Sequence, residues 1–399
     1  MATCGEVLVK LLEGYGVEQV FGIPGVHTVE LYRGLAASPI EHVTPRHEQG
    51  AGFMADGYAR TSGKPGVCFI ITGPGLTNIT TAMGQAYADS IPMLVISSVQ
   101  SRNQLGGGRG KLHELPNQSA LVAGVAAFSH TLMSAAELPA VLARAFALFQ
   151  AGRPRPVHIE IPLDVLVENA DAVLDSQPVQ IARAGAAPRA VVQMVDLLAA
   201  AQRPLILAGG GAIDAAPALI RLAERLEAPV ALTINAKGML RAQLSAQGRP
   251  GLRLTGGGRS LARRARLPEP GRASRRLGTS TRSGPACRTR TATRAQTRFL
   301  ETILDVLPDA VLVGDSTQPV YTGNLTLNPQ HARRWFNSST GYGTLGYALP
   351  AAIGAWLGRS AKRDERGAVV CLIGDGGLQF PGAGQRGRGE HAGDRPVVE

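Results

Sequence analysis

Residues 46–78 read RHEQGAGFMADGYARTSGKPGVCFIITGPGLTN, and three patterns succeed one another within them. From Glu48 to Ser62 the residues are small, apolar or helix-compatible, and Gly63 closes the run, which predicts a helix with a glycine stop. GVCFIIT (66–72) is an unbroken apolar run, as expected of a strand buried on both faces of a parallel sheet. Gly73-Pro74-Gly75 then forms a turn into a second helix, LTNITTAMGQAYADS (76–90), followed by the strand PMLVISS (92–98). Helix, strand, turn, helix, strand is the grammar of an α/β unit with a parallel sheet.

The same grammar extends in both directions. GEVLVKLLEGYG (5–16) is a helix with apolar residues at 7, 8, 11 and 12, and VEQVFGIP (17–24) a short strand. Glu6, Lys10 and Glu13 run through that helix, so it is amphipathic and unlike a signal peptide. PVHIEIP (156–162) is a further strand, and the proline-marked stretch near 170–187 reads as a linker. A second α/β unit follows: a helix over 190–201, the strand PLILAGGG (204–211), a helix over 215–227 and the strand PVALTI (229–234). Its glycines do not complete a dinucleotide fingerprint, because the last glycine would fall on Asp214, and a tight turn is the expectation. A third unit holds the helix FLETILDV, the strand AVLVGD (310–315), the turn and helix STGYGTLGYALPAAIGAWLG (339–358) and the strand GAVVCLIGDGG (367–377).

The fold expected is therefore α/β, with three doubly wound parallel-sheet domains, the second and third incomplete. The boundaries expected are 1–170, 188–240 and 296–380, with an arginine-rich irregular segment at 241–295 and an aberrant tail at 381–399. Residues 249–294 contain thirteen arginines, no lysine and one acid, Glu269. That segment carries +12 of a whole-chain charge of +11, so the remainder stands at −1. With no aromatic residue among these charges, nucleic-acid binding is not expected. The segment and the tail share a composition of Arg, Gly, Pro, Ala, Ser and Thr that a GC-rich gene yields when read out of frame. Apolar residues make up 44% of the chain with no run of eighteen, which argues for a globular protein without a membrane span. Four scattered cysteines form no C-x-x-C pair, and a cytoplasmic location is expected.

Four stretches could carry chemistry. Glu48 opens a helix of small residues, either as an acid that favours the helix dipole or as a buried acid/base facing a nitrogen heterocycle. The turn Gly73, Pro74 and Gly75 lets a ligand approach backbone closely, with Asn78 able to offer its amide. Asp375, among Gly374, Gly376 and Gly377 at a strand end, suits a diphosphate bridged by Mg2+. Glycines 341, 343 and 346 clear space around Leu345, which is either core or a wedge against a cofactor.

In this order the four stretches resemble the thiamine-diphosphate enzymes of the acetolactate synthase and 2-oxo-acid decarboxylase superfamily, over about residues 1–240 and 296–380. FGIPGVHTVELYRGL, the 46–78 stretch and TGYGTLGYALPAAIGA resemble most closely the 5-guanidino-2-oxopentanoate (2-ketoarginine) decarboxylases. The resemblance implies thiamine diphosphate and Mg2+ as cofactors, with a pyrimidine-binding, a central and a diphosphate-binding domain. It implies that Glu48 hydrogen-bonds the aminopyrimidine ring and that Leu345 enforces the bent coenzyme. Asp375 would bind the metal, and Gly73, Pro74, Gly75, Asn78, Gly343, Gly374, Gly376 and Gly377 would line the coenzyme. His113 and Glu114 fall where relatives carry active-site polar residues, against an alternative as surface-loop residues. A homodimer or homotetramer is implied, with Glu48 of one subunit facing Asp375 of another, and a small 2-oxo acid as the partner. The family has an asparagine as second Mg2+ side-chain ligand beyond the Gly-Asp-Gly, whereas no asparagine follows Asn337 here, so the resemblance makes a degraded or frame-shifted copy with impaired activity the expectation. The alternatives are an acetolactate synthase-like carboligase and a non-catalytic fragment.

Overall fold

The computed structural model describes residues 1–240, 286–359 and 367–380. The expected tail at 381–399, and most of the expected irregular segment, lie outside the described residues. Two compact units emerge: Met1–Ala184 with the residues from Ser338 onward, and Gly185–Asn337. The first division falls at the expected linker. The second falls inside the stretch 296–380 that the sequence pattern groups together.

The first unit opens with α1 (Cys4–Gly14), whose Thr3 and Glu6 form a reciprocal capping box. It continues through β1 (Gln19–Gly22), α2 (Val29–Ala36), β2 (Glu41–Val43), α3 (Glu48–Ser62), β3 (Gly66–Ile70), α4 (Pro74–Asp89) and β4 (Met93–Val99). Then follow α5 (Gln118–Val122), β5 (Phe128–Thr131), α6 (Leu138–Ala151), β6 (Val157–Pro162) and α7 (Leu163–Leu166). The six strands form one parallel sheet in the order β2-β1-β3-β4-β6-β5. β1, β3, β4 and β6 are buried along their whole length, as strands covered by helices on both faces must be. The chain moves from β1 outward to β2, then crosses back to place β3 on the other side of β1. A crevice opens at such a reversal, outside the C-terminal ends of the two strands.

The helix expected from Glu48 spans Glu48–Ser62, and Gly63 stops it in the left-handed conformation at φ 75°. Every residue from Gly50 to Arg60 is buried. This is a helix interior to its unit rather than an amphipathic surface helix, which explains its run of glycines and alanines.

In the second unit, α8 (Pro188–Ala200), β7 (Ile206–Ala208), α9 (Ala216–Arg225) and β8 (Val230–Leu232) match the pattern, with β7 and β8 paired in parallel. α10 (Ala286–Val306) begins earlier than the pattern suggests, inside the segment expected to be irregular. Alanine and arginine are strong helix formers, and their propensity there acts without an apolar stripe. β9 (Val311–Gly314), α11 (Gln318–Thr326) and β10 (Trp335–Asn337) follow, with β9 and β10 parallel.

Returning to the first unit, α12 (Ala348–Leu357) packs on α3, and β11 (Val369–Leu372) leads to the short α13 (Asp375–Leu378). The two long helices meet backbone to backbone. A Cβ on Gly57 would lie 2.0 Å from the Ala351 carbonyl oxygen, and one on Gly354 would lie 1.9 Å from that of Met54. Around this contact Tyr347 Oη donates to Asp56 at 2.5 Å, and Arg60 bridges Asp56 and Asp89, each at 2.6 Å. Thr340 donates to Asp89, and Thr344 donates to Gln85. Burial pushes the Asp56 carboxyl up, although Arg60 and Tyr347 oppose it. For Asp89 burial is outweighed by Arg60, Thr340 and Gln85, and its carboxyl is held low. Among the described residues no helix is long and apolar enough to cross a membrane.

Candidate functional site

The loops after β1, β2 and β3 converge on the crevice at the reversal. Glu48 is the first residue of α3, capped by His47, whose Nδ1 accepts the backbone N–H of Gln49. The Glu48 carboxylate accepts a hydrogen bond from Asn78 Nδ2 at 2.9 Å. Asn78 lies one turn into α4, so the two helices that follow β2 and β3 present an oriented acid–amide pair. Gly75 leaves that carboxylate uncovered, since a Cβ there would come within 3.4 Å of Glu48 Oε1.

Gly73 holds φ 70°, and a Cβ on it would lie 2.4 Å from the His113 carbonyl oxygen. Only glycine permits both that conformation and that approach. His113 is not a free surface-loop residue. It is half-buried in a left-handed conformation (φ 62°), with its ring 5.3 Å from that of His27. Burial first, and then the neighbouring His113, push the His27 imidazole below its usual range. The Tyr32 hydroxyl and the Nδ1 atoms of His27 and His113 are buried without partners among the described residues. Burial, with lesser contributions from Cys68 and Glu48, pushes the Tyr32 phenol up. An uncovered carboxylate, an amide and three unsatisfied polar atoms at a sheet's switch point suit a flat, nitrogen-bearing ring.

Glu114 behaves differently from the expectation of a ligand contact. Its carboxylate accepts the backbone N–H groups of Lys111 (2.9 Å) and Arg109 (3.3 Å), which hold it below the usual range. It braces its own loop.

The second cluster forms elsewhere in the same unit. Gly343 (φ 81°) and Gly346 (φ 74°) flank Leu345, which is 41% exposed and so is not core. A Cβ on Gly346 would lie 2.5 Å from Phe380 Cβ and 3.7 Å from the Gly377 carbonyl oxygen, so this turn abuts α13. Asp375 and Gly376 are exposed, with Gly374 as the N-cap of that short helix. A divalent cation would find one carboxylate here, and among the described residues no group of three or more His, Cys, Asp or Glu could hold a metal. Asp375 alone fits a Mg2+ whose other ligands come from phosphate and water.

Glu48 and Asp375 share no hydrogen bond or ion pair among the described residues of one chain. Thr344 is held by Gln85, seven residues along α4 from Asn78, a separation of about 10 Å on a helix. Two residues that sequence reasoning did not single out complete the crevice wall. His27 faces His113, and Gln118 Oε1 accepts the Gly73 backbone N–H at 3.0 Å. Neither carries a local sequence signal, because each partner is distant in the chain.

Three family descriptions match the chain: "Thiamine pyrophosphate enzyme, N-terminal TPP binding domain" over residues 2–121, the central domain over 191–265, and the C-terminal TPP binding domain over 315–385. The central match runs beyond the boundary expected at 240. The chain is 43% identical to the "Probable 2-ketoarginine decarboxylase AruI" of Pseudomonas aeruginosa, over 95% of this chain and 78% of that protein. It is 37% identical to acetolactate synthase isozyme 1 large subunit of Escherichia coli, over 60% of this chain and 42% of that one. The chain thus spans about two fifths of the acetolactate synthase it matches. An X-ray structure from Mycobacterium smegmatis, assigned to a thiamin-diphosphate-dependent enzyme, shares the fold at TM-score 0.67 and 21% identity, over 96% of this chain and 84% of that one. The chain belongs to the thiamine-pyrophosphate enzymes, in their 2-oxo-acid decarboxylase branch, whose coenzyme is thiamine diphosphate, normally held with Mg2+.

Proposed function

We propose that the chain decarboxylates 5-guanidino-2-oxopentanoate to 4-guanidinobutanal and CO2. The observation that carries this reading is the Glu48–Asn78 pair, uncovered by Gly75, at the β1/β3 switch point of a family member similar to a 2-ketoarginine decarboxylase.

In this reading Glu48 hydrogen-bonds a ring nitrogen of the aminopyrimidine and sets which ring nitrogen carries the proton. Asn78 fixes the carboxylate's direction, so its orientation is established before the ligand arrives. Gly73, Pro74 and Gly75 let the ring lie against backbone. His113, turned into the crevice, contacts the reacting end of the substrate, while Glu114 orders the loop that presents it. Leu345, partly exposed beside Gly343, would pack against the coenzyme. Asp375 would hold Mg2+, and the backbone of Gly374, Gly376 and Gly377 would receive the diphosphate. Bound thiamine diphosphate supplies the electron sink that allows a 2-oxo acid to lose CO2. The reading includes the homodimer that the motif order implies, in which Glu48 of one copy works with Asp375 of the other.

The test is CO2 release from 5-guanidino-2-oxopentanoate by the full chain with thiamine diphosphate and Mg2+, beside acetolactate formation from pyruvate. Faster CO2 release supports the proposal. Acetolactate as the dominant product would assign the chain to carboligation, the reading suggested by its acetolactate synthase relatives.

A further inference from the structure

Beyond the Gly73 turn lies a cavity of about 600 Å3, lined by Thr72, Gln100, Gln118, Ser129, Thr131 and Glu160, with Val99, Leu105 and Leu115 as its apolar part. This volume is typical of small-molecule sites. Its wall is shared with the crevice, since Thr72 and Gln118 bound the cavity and Gln118 holds the Gly73 N–H.

Among the described residues Glu160 is the one charged member of that lining, on β6 and only 4% exposed. Its carboxylate accepts from Thr131 Oγ1 at 2.5 Å and from Gln118 Nε2 at 3.2 Å. Both donors are neutral, and no cation pairs with Glu160 among the described residues. A buried carboxylate normally has a cationic partner, because two neutral hydrogen bonds do not replace its lost hydration. Burial pushes this carboxyl up, against the opposing effect of Thr131 and Gln118. Among the described residues the lining contains no Lys, Arg or His that could compete with a ligand's cation for Glu160.

We infer that this cavity binds the guanidinium end of the substrate, with Glu160 as its ion-pair partner and Val99, Leu105 and Leu115 along the methylene stem. A planar guanidinium can present two parallel N–H groups to one carboxylate, a pairing stronger than a neutral hydrogen bond. The inference rests on the proposed substrate and deepens it, placing cation recognition on Glu160, which lines the cavity, rather than on Glu114, which does not.

The test uses the full chain and isothermal titration with 5-guanidinopentanoate, which lacks the reactive keto group, and with hexanoate, which lacks the cation. The expected result is at least 10-fold tighter binding of the guanidino acid. Glu160→Gln should lose that preference while leaving hexanoate binding unchanged. In turnover of 5-guanidino-2-oxopentanoate the same variant should raise KM at least 10-fold and leave kcat within a few-fold. Equal affinity of wild type for the two acids, no measurable binding of the guanidino acid, or an unchanged preference in Glu160→Gln overturns the inference. If Glu160→Gln does not fold, Leu105→Trp at the exposed rim narrows the cavity. It should weaken the guanidino acid at least 10-fold, and unchanged affinity there overturns the inference equally. A chain that binds the guanidino acid selectively but releases no CO2 fails the functional proposal alone. One that decarboxylates the oxo acid with unchanged KM in Glu160→Gln fails this inference alone.

Discussion

Glu48 shows how much a single residue's position conveys and how much it withholds. Its place at the start of a helix was legible from Gly63 and the small residues between. Its partner Asn78, thirty residues away, was visible only as a residue near a glycine turn. On the proposed role, Glu48→Gln keeps the shape and the hydrogen bond from Asn78 within reach but removes the proton acceptor. CO2 release should fall about 100-fold or more, with circular dichroism unchanged. His158 supplies a stability prediction at the same scale. It is fully buried on β6, with Nε2 2.8 Å from Ser97 Oγ and Nδ1 2.7 Å from Ser129 Oγ, and burial lowers its pKa to about 3 from 6.5. The native imidazole stays neutral where the unfolded one takes a proton. Its contribution is therefore complete above pH 6.5 and is lost as the pH falls from 6.5 towards 3, by about 1.4 kcal/mol per unit. Urea unfolding of His158→Gln should be flatter over that window than that of wild type. An identical slope would show that another group sets it.

Elements were legible where the pattern is local. The strand at 66–70 follows from its apolar run, and the stop of α3 follows from Gly63. The partnership between α3 and α12 was not legible, because Gly57 and Gly354 look like ordinary helix glycines until the fold sets each against the other's backbone. For the same reason the pattern grouped 296–380 together, whereas tertiary packing joins α12 to the first unit. Gly57→Ala and Gly354→Ala each insert a methyl group against a carbonyl oxygen that belongs to helix backbone and cannot rotate aside. Each should cost about 1–3 kcal/mol in chemical denaturation. The double variant should cost less than the sum, because the first separation of the helices relieves the second contact. Strict additivity would mean that the two glycines do not share one interface.

For the whole molecule, sheet order and site assembly depend on contacts between distant residues, and the sequence conveyed them through motif order alone. Glu160 and Gln118 lie forty-two residues apart and carry no motif, so the cavity they line was invisible before the fold. The proposal of a site shared between two copies can be tested by complementation. Glu48→Gln and Asp375→Asn should each be inactive alone. Mixed and allowed to exchange subunits, they should recover about a quarter of wild-type sites, since half of the random dimers carry one intact site. No recovery after proven exchange would place both residues in one chain's own site. On the proposed function, the crevice holding Glu48 and the turn holding Asp375 take up one thiamine diphosphate. The most direct measurement is the thermal midpoint of the full chain with and without thiamine diphosphate and Mg2+, for wild type, Glu48→Gln and Asp375→Asn. A ligand that binds only the folded state stabilises it by about 2.7 kcal/mol at a hundred times its Kd. The midpoint should rise in wild type, and the rise should be reduced or absent in both variants; an unchanged wild-type midpoint at saturating coenzyme and metal would show that the two clusters do not hold the coenzyme.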